Sequence, residues 1–314
     1  MISQEQRKLL EKQKYKIVGT HSAVKLCHWL KEGMKGNKGC YKERFYGIDS
    51  HRCLQMTPSV TSCTQQCLFC WRPLETWEGT EITEISEPED ILENSIEAQR
   101  ELLTGFGGSL DIYDEDLWEE AKKPKHVAIS LAGEPTLYPK LSAYIKRCHE
   151  RDLTTFLVTN GTNPQTIKDL NPLPTQLYIS LDAPNKDIYQ KLCRPEIEEG
   201  WKRINRSLKL LSELKTRTVI RITLVNGIND KNINGYAKLL NKADPDFIEV
   251  KSFMHVGNSR DRLEREQMVE NDGIKDFSKQ ISEKTIYEVE DNVEESRVSL
   301  LKKPRANPKL RELG

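Results

Sequence analysis

Three cysteines, Cys63, Cys67 and Cys70, follow one another in a C-x3-C-x2-C loop, with an aromatic residue, Phe69, immediately before the third thiol. Three thiolates this close together can hold three irons of a [4Fe–4S] cube and leave the fourth iron without a protein ligand. An iron left open is a place where a small chelating molecule can bind and react. Structural zinc is the bland alternative, but it takes a C-x2-C pair matched by a second pair of Cys or His further along. No such pair follows this loop.

A second group of thiols lies upstream. Cys27, Cys40 and Cys53 stand with twelve residues between neighbours, in polar and Gly-rich surroundings. A single cysteine is commonly a small buried hydrophobe, and any one of these can be read so. Three of them in such a setting fit core packing less well, and a second three-thiolate [4Fe–4S] cluster is the sharper expectation. The remaining two, Cys148 and Cys193, read as structural.

The elements that must position these groups come from hydrophobic periodicity. Residues 1–18 read as a basic lead-in helix, 22–31 as a short amphipathic helix and 33–39 as a flexible connector. Apolar runs then alternate with helical patterns, which predicts βαβ units around a parallel sheet. The predicted strands are Cys53–Val60, His126–Leu131, Thr154–Thr159, Gln176–Leu181, Val219–Val225 and Phe247–Ser252, separated by helices near 89–103, 138–150, 164–170, 200–215 and 232–242. Six such units predict an α/β fold, an incomplete (β/α)6 TIM-like barrel with an N-terminal extension and a C-terminal appendage. Sites in barrels collect at the C-terminal strand ends, where the sequence places Gly133 and Glu134, Thr159 and Asn160, and Ser180 and Asp182. Arg221 and Thr223, two residues apart, share one face of the fifth strand. A last pair of strands, Thr285–Asp291 and Arg297–Lys302, has no partner assignable from sequence. The expected division is 1–52 as an extension carrying the upstream cysteines, 53–280 as the partial barrel, and 281–314 as a β appendage with a basic tail.

Charge is balanced at 48 basic against 48 acidic residues but unevenly spread. Residues 1–52 hold twelve Lys or Arg against five acids, and residues 75–120 hold sixteen acids and the single Arg100. Such runs are usually solvated faces. If a nucleic acid binds, the basic N-terminal side is the place for it. No apolar run reaches the roughly 18 residues that span a bilayer, and the first residues lack an apolar signal core. The expectation is a cytoplasmic protein without membrane association, whose eight cysteines are metal ligands rather than disulfides.

The cysteine loop with Phe69 resembles that of radical S-adenosylmethionine (SAM) enzymes, in which the methionine amine and carboxylate chelate the open iron. Ala132-Gly133-Glu134-Pro135 is similar to their Gly-Gly-Glu turn, with Ala132 replacing the first Gly. That resemblance assigns the Glu134 carboxylate or nearby backbone to the SAM amine, and makes Thr159, Asn160, Ser180 and Asp182 candidates for its ribose and carboxylate. With Cys27, Cys40 and Cys53 added, the chain from about residue 20 onward resembles the archaeal tRNA 4-demethylwyosine synthases. The resemblance implies two [4Fe–4S] clusters and SAM. It also implies condensation of N1-methylguanosine at position 37 of phenylalanine tRNA with pyruvate, a carbon–carbon lyase reaction that builds a tricyclic imidazopurine. It implies a separate electron donor, such as a flavodoxin or ferredoxin, and places Lys42 where the family has a lysine proposed to form a Schiff base with pyruvate. Other readings are a different radical SAM tRNA modifier, a glycyl-radical activase, or an iron–sulfur RNA-binding protein without turnover.

Overall fold

The computed structural model describes residues 2–108 and 112–310. Its centre is one ten-stranded sheet. Six strands run parallel: β3 (Cys53–Thr57), β4 (His126–Ile129), β5 (Thr154–Thr159), β6 (Gln176–Ser180), β7 (Arg217–Leu224) and β8 (Phe247–Ser252). Two short antiparallel strands, β1 (Lys16–Val18) and β2 (Ser22–Val24), extend it beyond β3. At the other edge β10 (Val298–Lys302) pairs antiparallel with β8 and carries β9 (Glu288–Val293). Among the described residues β1 and β9 do not pair, so the barrel is partial. The α/β architecture and all six parallel strands agree with the periodicity, and β8 is the partner of the C-terminal pair that the sequence left open.

Alternation along the strands sorts side chains between two layers. Leu157, Leu177, Ile179, Ile220, Ile222, Ile248 and Val250 join the outer core under the helices. Their neighbours Phe156, Tyr178, Val219 and Phe247 point to the concave face, where they meet Tyr41, Phe45 and Tyr46. Those three residues belong to the helix Tyr41–Tyr46, which sits inside the curve of the sheet.

The N-terminal region departs from expectation. The lead-in helix spans only Gln4–Lys12, closed at its start by a Ser3–Gln6 capping box. The predicted 22–31 helix is instead β2 followed by a helix His28–Gly33. Pairing of Ala23 and Val24 with Thr57 and Met56 at the edge of β3 buries both side chains, and this tertiary gain outweighs helix propensity. The connector is also packed, since Met34 is buried against Leu30, Leu103 and Ala121. Helices Glu115–Ala121, Lys186–Cys193 and Asn271–Lys284 were not anticipated. No described helix is long and apolar enough to cross a membrane.

Candidate active site

The loop carrying Cys63, Cys67 and Cys70 follows β3 and is held by backbone bonds to distant segments. Cys63 N–H donates to the Gly79 carbonyl at 3.0 Å, Gln66 N–H to that of Cys193 at 3.1 Å, and Leu68 N–H to that of Leu192 at 2.9 Å. Arg262 draws the far side together, its Nε donating to the Leu68 carbonyl at 3.1 Å and its Nη2 to those of Cys70 and Arg72. Phe69 is partly buried against the main core.

Among the described residues no three His, Cys, Asp or Glu side chains converge closely enough to ligate one metal ion. A cube asks for something else, since each thiolate takes a different iron and the sulfurs stand further apart. Arg72 supplies the stronger observation. It is 1 % exposed, and its Nε and Nη1 have no hydrogen-bond partner among the described residues. The groups that act on its charge are the Cys63, Cys70 and Cys67 sulfurs and Tyr15. A buried cation with spare N–H groups among three thiols suits an anionic assembly of thiolates and cluster. Burial above all pushes the Cys63 thiol up to about 12, against the Arg72 charge, and a hydrogen bond with Cys193, then burial, holds Cys67 well above its ordinary range. A bound metal acts in the opposite direction, because coordination favours the thiolate.

The turn after β4 touches this loop. Gly133 has φ +68°, and a Cβ there would fall 1.7 Å from the Ser59 carbonyl oxygen, so only glycine permits this approach. Glu134, 1 % exposed, turns its carboxylate inward. Oε1 accepts from Thr136 N–H at 3.0 Å, the Thr136 hydroxyl at 2.5 Å and the Thr159 hydroxyl at 2.6 Å, while Oε2 accepts from Asn160 N–H at 2.8 Å. The carboxylate thus ties the β4 turn to the end of β5. Asn160 Nδ2 donates to Thr64 Oγ1 at 2.8 Å and reaches Cys63 Sγ at 3.9 Å, which joins the β5 end to the cysteine loop. Asp182 accepts from Thr223 N–H at 2.7 Å and is pushed up to about 6 by burial. Ser180, Asp182, Gln65 and Cys193 line one small cavity. The predicted residues of strand ends β4 to β6 therefore gather around one mouth with the Cys63–Cys70 loop.

Cys27, Cys40 and Cys53 form a second gathering. Cys27 and Cys40 each precede the first residue of a short helix, and Cys53 opens β3. Each is partly exposed. Their thiols lie within electrostatic reach of one another: Cys40, pushed up to about 12 by burial, also feels Cys27, and Cys53, likewise pushed up to about 12, feels Cys27 and Cys40. Cys53 and Thr57 mark opposite ends of β3, about 13 Å apart at strand rise, so the barrel interior lies between the two thiol groups.

Lys42 occupies that interior. It is 8 % exposed, with Nζ 4.7 Å from the Phe156 ring centroid and 4.6 Å from that of Tyr178. Burial, then the Arg221 charge, lowers its pKa. Nearby, Glu249 is fully buried and accepts from Tyr41 Oη at 3.0 Å, Tyr46 Oη at 2.7 Å, and Arg221 Nε and Nη2 at 3.0 and 2.9 Å. Sequence reasoning passed over Arg72, Arg262, Glu249, Lys251 and the contact of Cys193 with Cys67. None carries a local signal, and charged residues on strands read as surface until the partner is seen.

Residues 57–240 match the family described as the Radical SAM superfamily, and residues 242–303 match the one described as Wyosine base formation. The chain is 48 % identical over 305 residues to the S-adenosyl-L-methionine-dependent tRNA 4-demethylwyosine synthase of Pyrococcus abyssi, covering 96 % of this chain and 89 % of that protein. To the enzyme of the same name from Methanocaldococcus jannaschii it is 46 % identical over 317 residues, covering 99 % of this chain and all of that one. A solved structure of TYW1 with a lysine-pyruvate adduct bound is 44 % identical with a TM-score of 0.91, covering 99 % of this chain and 100 % of that one. A crystal structure of archaeal TYW1 is 40 % identical with a TM-score of 0.81 and the same coverage. With the cysteine loop, the glycine turn and the upstream thiols already gathered around one partial barrel, these likenesses place the chain in the radical SAM superfamily, among the S-adenosyl-L-methionine-dependent tRNA 4-demethylwyosine synthases.

Proposed function

We propose that this protein condenses N1-methylguanosine-37 of phenylalanine tRNA with pyruvate to form 4-demethylwyosine, a carbon–carbon lyase reaction, in the cytoplasm. The observation that carries the reading is Lys42, a buried lysine without a carboxylate partner among the described residues, on a helix that enters the concave face beside three thiols. Lysine becomes a nucleophile when desolvation or a neighbouring cation favours its neutral form, and Lys42 has both.

Cys63, Cys67 and Cys70 would hold the cluster that binds SAM, and Cys27, Cys40 and Cys53 a second one. When bound, SAM and its reduced cluster supply hydrogen-atom abstraction from the N1-methyl group, with the electron delivered by a separate flavodoxin or ferredoxin. The chain's own residues do the positioning. Arg72 balances the charge of the first thiol group, and Arg262 closes its loop. The Glu134 carboxylate is spent on Thr136, Thr159 and Asn160, the Ala132 carbonyl accepts from the Thr57 hydroxyl and the Glu134 carbonyl from Leu137 N–H, so among the described residues the Gly133 carbonyl is the acceptor of that turn left to meet the SAM amine. Asn160, Ser180 and Asp182 present polar groups at the same mouth.

Lys42 attacks C2 of pyruvate and, with loss of water, holds it as an imine. The methyl-derived carbon radical would then join C2 and the bond from C2 to the carboxylate carbon would break, that carbon leaving as CO2 with its odd electron passed to the cluster that Cys27, Cys40 and Cys53 would hold. The exocyclic amine of guanosine would displace the Lys42 amine by transimination, and loss of a proton from the methyl-derived carbon would complete the ring. Borohydride added with pyruvate is expected to leave a reduced three-carbon adduct on Lys42, read by peptide mass. Lys42→Arg is expected to keep its iron and lose product, since guanidinium cannot form the imine. An active Lys42→Arg protein would exclude covalent catalysis here and leave chelation at the second cluster as the means of holding pyruvate.

A further inference from the structure

Two lysines face the interior near the Cys27, Cys40 and Cys53 thiols, and the chemistry above uses only one. Lys251 is the fifth residue of β8, two beyond Glu249, and so lies on the same concave face. Its ammonium stands 5.4 Å from the centroid of the Tyr41 ring and donates to the Ser296 carbonyl oxygen at 2.8 Å. Both Lys251 and Lys42 are within electrostatic reach of the Cys40 sulfur.

The charges in this region do not balance. Glu249 is already engaged by Arg221, Tyr41 and Tyr46 and makes no bond to Lys251. Arg221 spends Nε and Nη2 on Glu249 and gives a further bond from Nη2 to Tyr41 Oη at 2.7 Å. Lys251 gives its hydrogen bond among the described residues to a neutral carbonyl; burial, then the Arg221 charge, lowers its pKa to about 8, so the ammonium form still prevails at neutral pH. An ammonium in an enclosed site without a carboxylate can donate charge-assisted hydrogen bonds to an anion. A 2-oxo acid brings its anion one bond away from the carbonyl carbon that an amine attacks.

We infer that Lys251 binds the carboxylate of the 2-oxo acid whose carbonyl carbon reacts with Lys42, and so selects an acid over an uncharged aldehyde. This rests on the reading of Lys42 as the reacting amine. Arg221 is the other cation at hand, and its engagement with Glu249 removes it from the role.

The test needs neither SAM nor RNA. Iron-reconstituted wild type, Lys251→Met and Lys251→Arg are incubated with increasing pyruvate, or with acetaldehyde, and cyanoborohydride, and labelling of Lys42 is read by peptide mass. Lys251→Met is expected to need roughly tenfold more pyruvate or beyond for half-maximal labelling, as loss of a charge-assisted bond implies. Acetaldehyde, which has no carboxylate, should label it as it does wild type, and Lys251→Arg should recover most of the pyruvate response. Unchanged pyruvate dependence in Lys251→Met overturns the inference. So does an equal loss for pyruvate and acetaldehyde, which would mark a structural role. A wild-type protein labelled by neither compound overturns the Lys42 reading itself, and this one with it, by a separate outcome. Iron content and unfolding midpoint are recorded for each variant, and Lys251→Gln replaces Lys251→Met should the latter not fold.

Discussion

Arg221 and Glu249 face each other across β7 and β8 in register, and the guanidinium donates to one carboxylate oxygen through both Nε and Nη2, at 3.0 and 2.9 Å. The other oxygen takes the Tyr46 hydroxyl, and the Tyr41 hydroxyl completes the set, so the helix that carries Lys42 is fastened to the sheet through a single buried acid.

Glu249→Ala is therefore expected to destabilise the protein by about 3 kcal/mol or more, because it leaves the Arg221 charge buried without its partner. Glu249→Gln keeps the shape and should cost less. Urea unfolding of both variants checks this, and a midpoint for Glu249→Ala equal to wild type would show that water or another group takes the place of the acid.

Anaerobically prepared protein is expected to carry about eight irons, from two clusters of the kind three thiolates hold. Replacing Cys63, Cys67 and Cys70 by alanine should halve the iron and abolish release of 5′-deoxyadenosine from SAM. Replacing Cys27, Cys40 and Cys53 should halve it too, yet leave some uncoupled release. Arg72→Met should lose iron from the first group only. Iron and sulfide assays read each outcome, and unchanged iron in the upstream triple variant would make those thiols structural.

Stability should fall in mild acid through buried neutral histidines. His21 donates from Nδ1 to the Pro58 carbonyl at 2.6 Å and accepts at Nε2 from Ser86 N–H at 3.1 Å, and burial lowers its pKa below the ordinary 6.5. A histidine depressed in the folded state binds fewer protons there than when unfolded. Its contribution is complete above about pH 6.5 and drains away as pH falls toward the folded value. His126, pushed down to about 4 by burial, acts in the same direction. The urea midpoint of wild type should drop between roughly pH 7.5 and 5.5. His21→Gln should start lower and drop less, and parallel curves for the two proteins would remove His21 from the account.

The helix Gln4–Lys12 presents exposed Arg7, Lys8 and Lys12, none of them in an ion pair among the described residues. It reaches the segment after the cysteine loop through Gln6 Nε2 and the Thr76 carbonyl at 3.2 Å. Affinity for tRNA should fall steeply with salt, and Lys8→Ala with Lys12→Ala should reduce the slope of log affinity against log salt by roughly one for each phosphate contact removed. An unaltered slope would place the RNA on another face.

The cysteine loop, the gathering of the three upstream cysteines, the polar strand ends and the six parallel strands were legible in the sequence, because residue spacing and hydrophobic period are local properties of a chain. Lys42 was visible only through family resemblance, as one lysine among many. What the tertiary structure decided is where that lysine lives. The short helix Tyr41–Tyr46 turns inside the sheet and sets Lys42 against Phe156 and Tyr178, more than a hundred residues away in sequence. Arg72, Glu249 and Lys251 likewise look like ordinary surface charges until the fold buries them or faces them inward. Ala23 and Val24 became a strand only because β3 offered an open edge. Burial and charge pairing are relations between segments, so their energies appear once the chain has closed on itself and leave no local pattern to read beforehand.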